Sequence, residues 1–490
     1  MRFLLDTNIL IPLEDSKRPL EPSLANFVRL ATSYGHQLVY HPASKDDINQ
    51  DKDLERRKQT LDRLQQYTPL EKLPPCPWNV GSTNRNDVAD NEILYALEIN
   101  AIHGLVTEDQ GIHSKAKSKG LAQHVYTIQT AEDLLRRLHE RESVHLPNIN
   151  DTPLYSLTPL LDSPFFDSLR EGYPEFDTWF RSKAQEGREA WVNWEQDGII
   201  GGICIYTLQS DERITEDRTL TGQALKISTF KVADSNRGKK IGELFLKAAF
   251  RYASQNRIES IFIHGDISRH HFLFEMLEDF GFYRVGYHPG SGERDAVYLK
   301  EHPIEPPVTA DLTDFEYSRR YFPHFRSDEH ILKFVVPIQP DFHRILFPDY
   351  ESPVDRQPSL FASQNSAGNA IKLAYLCHAQ TKDMPPGSVV LFYRSGDERA
   401  ITSLGIVESY ETSIDADEIA AKVKRRTVYT MQEIKRIAEK PTRVMLFRLI
   451  KHFKDPRQQQ WLIDSKILRG PPQSITLIDH EKFTRINAHE

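Results

Sequence analysis

One stretch near the middle of the chain, Leu225 to Ala253, restricts the fold more than any other. LKISTFKV alternates apolar and polar residues and is rich in β-branched and aromatic types, which predicts a strand. ADSNRGKKIG comes next, with two glycines and the basic residues Arg237, Lys239 and Lys240. In ELFLKAAFRYA, Leu244, Leu246, Ala248, Ala249 and Tyr252 recur at helical spacing, which predicts an amphipathic helix. A strand, a basic glycine turn and a helix together make an anion site. The first N–H groups of the helix are unpaired, and its dipole favours negative charge there. An ordinary strand-to-helix connection with a solvated basic face is the alternative reading.

The chain has 490 residues, a soft prior for about three domains. Hydrophobic residues make up 39% and charged residues 27%, enough apolar material for several cores and against overall disorder. A net charge of −8 excludes a chain-wide nucleic-acid coat and leaves room for a local basic patch. Cys76, Cys204 and Cys377 share no pair spacing, which points to a reduced, cytoplasmic protein with neither disulfide framework nor zinc site. MRFLLDTNILIPLED carries an acid inside its apolar run, unlike a signal peptide, and no run of about 18 apolar residues predicts a membrane span.

Residues 1–140 read as alternating strands and helices, which predicts a mostly parallel α/β sheet with ligands outside the carboxyl ends of its strands. The acids fall at those ends. Asp6 follows FLL, Asp46 and Asp47 follow the strand LVYHP, Asp87 and Asp90 share a helix face, and Asp109 follows GLVTE with Thr107 two residues before it. Carboxylates converging without Lys or Arg partners repel one another unless divalent cations fill the cluster, and Mg²⁺ or Mn²⁺ prefers such oxygen ligands. Ions there activate water and clamp a phosphodiester. LLDTNIL, DVADNEIL and VTEDQ resemble a PIN domain, a metal-dependent ribonuclease fold. That resemblance implies Asp6, Asp47 (or its neighbour Asp46), Asp90 and Asp109 as metal-binding and catalytic acids, with Thr107 and Asn8 supporting. The family's second acid is usually Glu followed by Leu; here it is Asp followed by Ile, one CH₂ shorter.

Residues 141–164 are a Pro- and Ser-rich linker, and residues 165–300 predict a mixed sheet with early antiparallel strands and a later strand–helix–strand unit. GIIGGICIY, STFKVADSNRGKKIG and EDFGFYRVG resemble a GNAT acyltransferase. The resemblance implies acetyl-CoA or another acyl-CoA as cofactor, its pyrophosphate wrapped by the turn. Phe230, Val232, Arg237, Gly238, Lys239, Lys240, Ile241 and Gly242 are then cofactor-binding. Lys240 stands where the family's inner glycine falls, and no Tyr stands in FEMLED, where the family often places its general acid. His264, at a strand end facing the expected cleft, is the candidate general base, since an ordinary imidazole titrates near neutrality.

Residues 301–329 form a Pro-rich linker. From 330 to 490 several strands with one or two helices predict a small β-barrel. GSVVLFYRSG, SLGIVES, VMLFRLI and ILRGPPQSI resemble the PUA-like superfamily, especially its ASCH or EVE-type members, which implies RNA or modified nucleobases as partners. Independently, residues 421–460 carry Lys422, Lys424, Arg425, Arg426, Lys435, Arg436, Lys440, Arg443, Arg448, Lys451, Lys454 and Arg457, with Tyr429, Phe447 and Phe453 interleaved. That pattern fits nucleic acid, or a solvated basic helix face.

The chain is therefore expected to be an α/β multidomain protein: a PIN-like parallel sheet, a GNAT-like mixed sheet with helices and a PUA-like barrel. The expected activity is acyl transfer to RNA or an RNA-linked amine by a chain that also cuts RNA, the reader raising the local concentration of substrate. The alternatives are an acyl-CoA-sensing nuclease or toxin, with an antitoxin or other protein partner, and a protein-lysine acetyltransferase. Oligomeric state and pathway are not legible.

Overall fold

The computed structural model describes all residues except 16–19, 71–72, 80–84, 140–147, 196–197, 237–239, 351–365, 368–370, 424–425, 427–428 and 489–490. The chain divides into two compact units. Residues 1–144 and 413–442 form the first, and residues 145–412 and 443–490 the second.

The first unit is built on a five-stranded sheet in the order Thr68–Pro69, Gln37–Tyr40, Arg2–Leu5, Gly104–Val106, Val125–Tyr126. Every pairing is parallel. Strand alternation sends Phe3 and Leu4 to opposite faces. Phe3 meets Phe27 of helix Pro22–Ser33 edge to face at 5.5 Å. Leu4 joins Ile93 and Leu97 of helix Arg85–Glu98 and Ile112 of helix Gln110–Ser118. Each such buried side chain is worth roughly 1.5–3 kcal/mol. The strand order reverses at Arg2–Leu5, which pairs with Gln37–Tyr40 on one side and Gly104–Val106 on the other. Helices Ala416–Val423 and Met431–Ile437 complete this unit, the second packing on helix Ile128–His139.

The second unit contains an eight-stranded sheet in the order Tyr283–Tyr287, Asp295–Glu301, Ser260–Asp266, Gln223–Val232, Ile200–Ser210, Glu189–Trp194, Asn148–Pro153, Ser366–Ala367. Only Gln223–Val232 and Ser260–Asp266 pair in parallel; the other neighbours are antiparallel. Helix Ile241–Gln255 buries Phe245, Leu246, Ala249, Phe250 and Ala253 in the core that also holds Leu225 and Ile227. A six-stranded mixed sheet completes the unit in the order Lys372–Cys377, Thr442–Gln458, Ala400–Ser413, Val389–Arg394, Lys333–Ile338, Thr476–Ile478. This order is linear, so the closure expected of a small barrel is not seen among the described residues.

The basic run at 421–460 divides between the two units. Lys422, Arg426, Lys435, Arg436 and Lys440 belong to the first unit, and the residues from Arg443 onward to the second. Arg448 and Arg457 are each only 2% exposed, which removes both from any phosphate-binding face. Arg448 pairs with Asp279 at 2.9 Å, and Arg457 donates to the Ile486 carbonyl at 2.9 Å. Lys424 and Arg425 lie outside the described residues. No described helix is long and apolar enough to cross a membrane.

Candidate functional site

The strand Gln223–Val232 carries a β-bulge. Its register against Ile200–Ser210 shifts between Ile205 and Tyr206, which face Thr229 and Ile227, so Ser228 is the extra residue. A bulge bends its strand and re-aims the residues beyond it. Past this point the parallel ladder with Ser260–Asp266 stops, its last pair being Ile227 and Ile263. Phe230 to Val232 stay paired with Ile200–Ser210, while His264 to Asp266 stay paired with Asp295–Glu301. The two central strands part there, leaving backbone on the inner edge of each outside the ladder.

The turn opens at the mouth of that gap. Lys240 is the N-cap of helix Ile241–Gln255, with φ +61° and ψ 17°, and among the described residues no side chain caps this helix end. A non-glycine residue in this conformation costs about 1–2 kcal/mol. The first amides of a helix have no intrahelical partner, so those of Ile241, Gly242 and Glu243 suit an outside acceptor. At Gly242 a Cβ would lie 3.1 Å from Met276 Sδ and 3.4 Å from Phe230 Cε1, so glycine lets the neighbours close on the turn. At Gly202 a Cβ would meet Ile241 and Phe245 at 3.1 Å, which is why the GIIGG strand admits the helix so closely. Phe230 meets Phe245 edge to face at 5.5 Å, and Val232 pairs with Gly202. The ammonium of Lys240, expected to face a phosphate, donates to the Lys372 carbonyl at 3.1 Å. Arg237, Gly238 and Lys239 lie outside the described residues.

On the far side of the gap His264 stacks on His288 at 4.1 Å. Burial, then Lys226 and His288, lower its pKa to about 3. This imidazole is neutral at pH 7 and a weak base, unlike the near-neutral group expected there. The residue that sequence reasoning missed is Tyr173. Its hydroxyl lies 3.9 Å from where a Cβ on Gly265 would sit, at the end of Ser260–Asp266. Burial, then Asp295, raise its pKa, with Asp266 adding to the rise. Tyr173 lies in a connection between two short helices, where no periodicity marks it.

In the first unit, Asp6 ends the central strand at the reversal point, its amide donating to the Val106 carbonyl at 3.1 Å. Its carboxylate is 6% exposed and accepts from Thr7 N at 2.7 Å, Asn8 Nδ2 at 2.8 Å and Thr107 Oγ1 at 2.6 Å. Burial raises its pKa to about 6 against those hydrogen bonds, and Asp109 and Asp90 push the same way. Asp109 caps helix Gln110–Ser118 through Gly111 N at 2.6 Å and Ile112 N at 3.2 Å. Asp90 does have a basic partner, contrary to expectation: Lys115 bridges Asp90 at 2.8 Å and Asp87 at 2.7 Å. Asp47 sits half-buried on helix Pro42–Ile48, which packs on helices Thr7–Glu14 and Arg85–Glu98. Among the described residues, the one group with three ligand atoms within 4.8 Å is His103, Asp415 and Asp417. His103 Nδ1 accepts the Arg2 amide at 3.0 Å, so its other nitrogen carries the proton and offers no lone pair to a cation.

A pocket of about 500 Å³ opens in the six-stranded sheet. Tyr375, Tyr393, Gln339, Arg399, Gln459 and Gln473 are among its lining residues. Tyr375 donates to the Pro337 carbonyl and Tyr393 to Gln459 Oε1, each at 2.9 Å, so both phenols are committed and their rings offer apolar walls.

Residues 154–282 match the family model of the acetyltransferase (GNAT) family, so the chain carries a GNAT acetyltransferase domain. No curated protein matches the chain. Among solved structures, ASCH from Zymomonas mobilis is 12% identical, covering 32% of this chain and 94% of its own at a TM-score of 0.25. A putative GNAT-family acetyltransferase from Desulfovibrio desulfuricans is 15% identical over 31% of this chain and 97% of its own, with a TM-score of 0.26. GNAT-family YhbS from Escherichia coli, solved in complex with CoA, is 14% identical over 33% of this chain and 85% of its own, with a TM-score of 0.24.

Proposed function

We propose that the GNAT domain binds acyl-CoA and transfers the acyl group to an amine. The observation that carries this reading is the parting of Gln223–Val232 from Ser260–Asp266 beside a helix start that no described side chain caps. The first-turn amides suit a pyrophosphate, and the inner edge of Phe230–Val232 suits an extended amide-bearing arm. When bound, the coenzyme supplies the thioester whose acyl carbon passes to the acceptor nitrogen. Tyr173 stays protonated through neutral pH and, lying by the strand end, would hold the proton that the sulfur of a bound thioester needs on leaving, while the proton lost by the acceptor nitrogen would pass to solvent. His264 is too weak a base to strip an ammonium, so the acceptor arrives as the free amine. Equilibrium dialysis with acetyl-CoA tests the reading. Wild type is expected to bind and Gly242→Asp to lose binding, because a carboxylate in the first turn repels the anion. Wild type that does not bind ends the proposal.

The first unit carries a second reading, a PIN-type nuclease site. Asp6, Asp90, Asp109 and Asp47 would hold Mg²⁺ or Mn²⁺, which supplies an activated water and a clamp on phosphate. The buried Asp6 carboxyl, raised to about pKa 6 by burial and then by Asp109 and Asp90, fits a cation there. Asp90 would exchange Lys115 for it. Asn8 and Thr107 hold the orientation of Asp6. In the same reading the six-stranded sheet is a PUA-like module. Its tyrosine walls, glutamine amides and Arg399 suit a nucleobase with its phosphate, which makes RNA the partner.

A further inference from the structure

The first turn of helix Ile241–Gln255 is held by one residue from outside the GNAT-matched stretch. Lys372 opens the strand Lys372–Cys377. Its amide donates to Glu243 Oε1 at 2.6 Å, and its carbonyl accepts from Lys240 Nζ at 3.1 Å. Its ammonium pairs with Asp279, at the end of helix Ile267–Asp279. Arg448, its partner in strand register, fixes the same aspartate at 2.9 Å and donates to its carbonyl at 2.8 Å. Glu243 stands three residues into the helix, where a glutamate ordinarily folds back toward the N-cap amide. A carboxylate there would cover the amides an anion needs and repel the anion itself. Here Glu243 is instead buried, and its carboxylate accepts from the Lys372 amide.

We infer that Lys372 is a positioning residue for the coenzyme turn. By drawing the Glu243 carboxylate away, it keeps the first-turn amides open to a pyrophosphate. A strand of the C-terminal sheet thereby sets the anion affinity of the GNAT domain. This rests on the reading of the turn as a coenzyme site.

Calorimetric titration of the full chain with CoA tests it. Glu243→Asp is one CH₂ too short to reach Lys372 and leaves its carboxylate on the turn. It is expected to weaken CoA about fivefold, the effect of one charge at a helix end. Glu243→Ala leaves no carboxylate and is expected to bind within about twofold of wild type. Lys372→Pro, which deletes the amide donor, is expected to weaken binding as Glu243→Asp does, and adding Glu243→Ala to it to restore binding. Equal affinity for Glu243→Asp and wild type overturns the inference, as does an equal loss in Glu243→Asp and Glu243→Ala. Failure of wild type to bind CoA is a different result: it removes the coenzyme reading itself.

Discussion

Asp6 shows what a single buried carboxyl does to this molecule. Its pKa is raised to about 6 in the folded chain, against 3.8 when unfolded. The folded state therefore holds its proton more tightly, and stability falls as pH rises between those two values. The full effect is of order 3 kcal/mol. Asp6→Asn is expected to be more stable than wild type at pH 8 and nearly equal at pH 4, as thermal melts at both values would show. Mn²⁺ is expected to raise the melting temperature of wild type and not of Asp6→Asn, with Mn²⁺-dependent RNA cleavage lost in the variant. Equal melts at pH 8 would remove the penalty assigned to this carboxyl. In the acyltransferase, Tyr173→Phe is expected to lower kcat by about 10²-fold or more while leaving CoA affinity intact, since the loss is of a proton donor. The acid positions were legible because strand ends and helix starts follow from periodicity. Lys115 between Asp87 and Asp90 was not, because that contact joins separate helices. Tyr173 was hidden because it lies in a connection between two short helices, where no periodicity marks it.

At the scale of elements, the strand–turn–helix around Leu225–Ala253 follows directly from its alternation and helical spacing. The bulge at Ser228 left no comparable mark, since it depends on the neighbouring strand. The closing Gly-Phe has a steric cause. Gly281 has φ +86°, and a Cβ there would lie 2.2 Å from the Arg319 carbonyl oxygen. Gly281→Ala is expected to cost more than about 1–2 kcal/mol, read as a lowered melting temperature with secondary structure retained. An unchanged melt would mean that this approach does not constrain the fold. Five strands of the six-stranded sheet were recognisable one by one; Thr476–Ile478 was not, and neither was the linear order, because pairing partners lie far apart in sequence.

For the whole molecule, the sequence order hides one exchange. Residues 413–442 leave the C-terminal sheet between the strands Ala400–Ser413 and Thr442–Gln458 and fold into the first unit. Buried Ile419, Ala420, Val423 and Ile434 show that this segment contributes core, not only charge. Replacing it by a short Gly/Ser link is expected to destabilise the first unit and to increase proteolysis within residues 1–139. A resistant first unit would show that the segment is dispensable to it. Such an exchange is unreadable from composition, because the segment resembles any basic amphipathic hairpin. Amide hydrogen exchange of the full chain with and without CoA reads out the parted strands and the helix start beside them. CoA is expected to slow exchange at Phe230–Val232 and Ile241–Glu243. Protection confined to other segments, or none at saturating CoA, would overturn the reading of this turn as a coenzyme site.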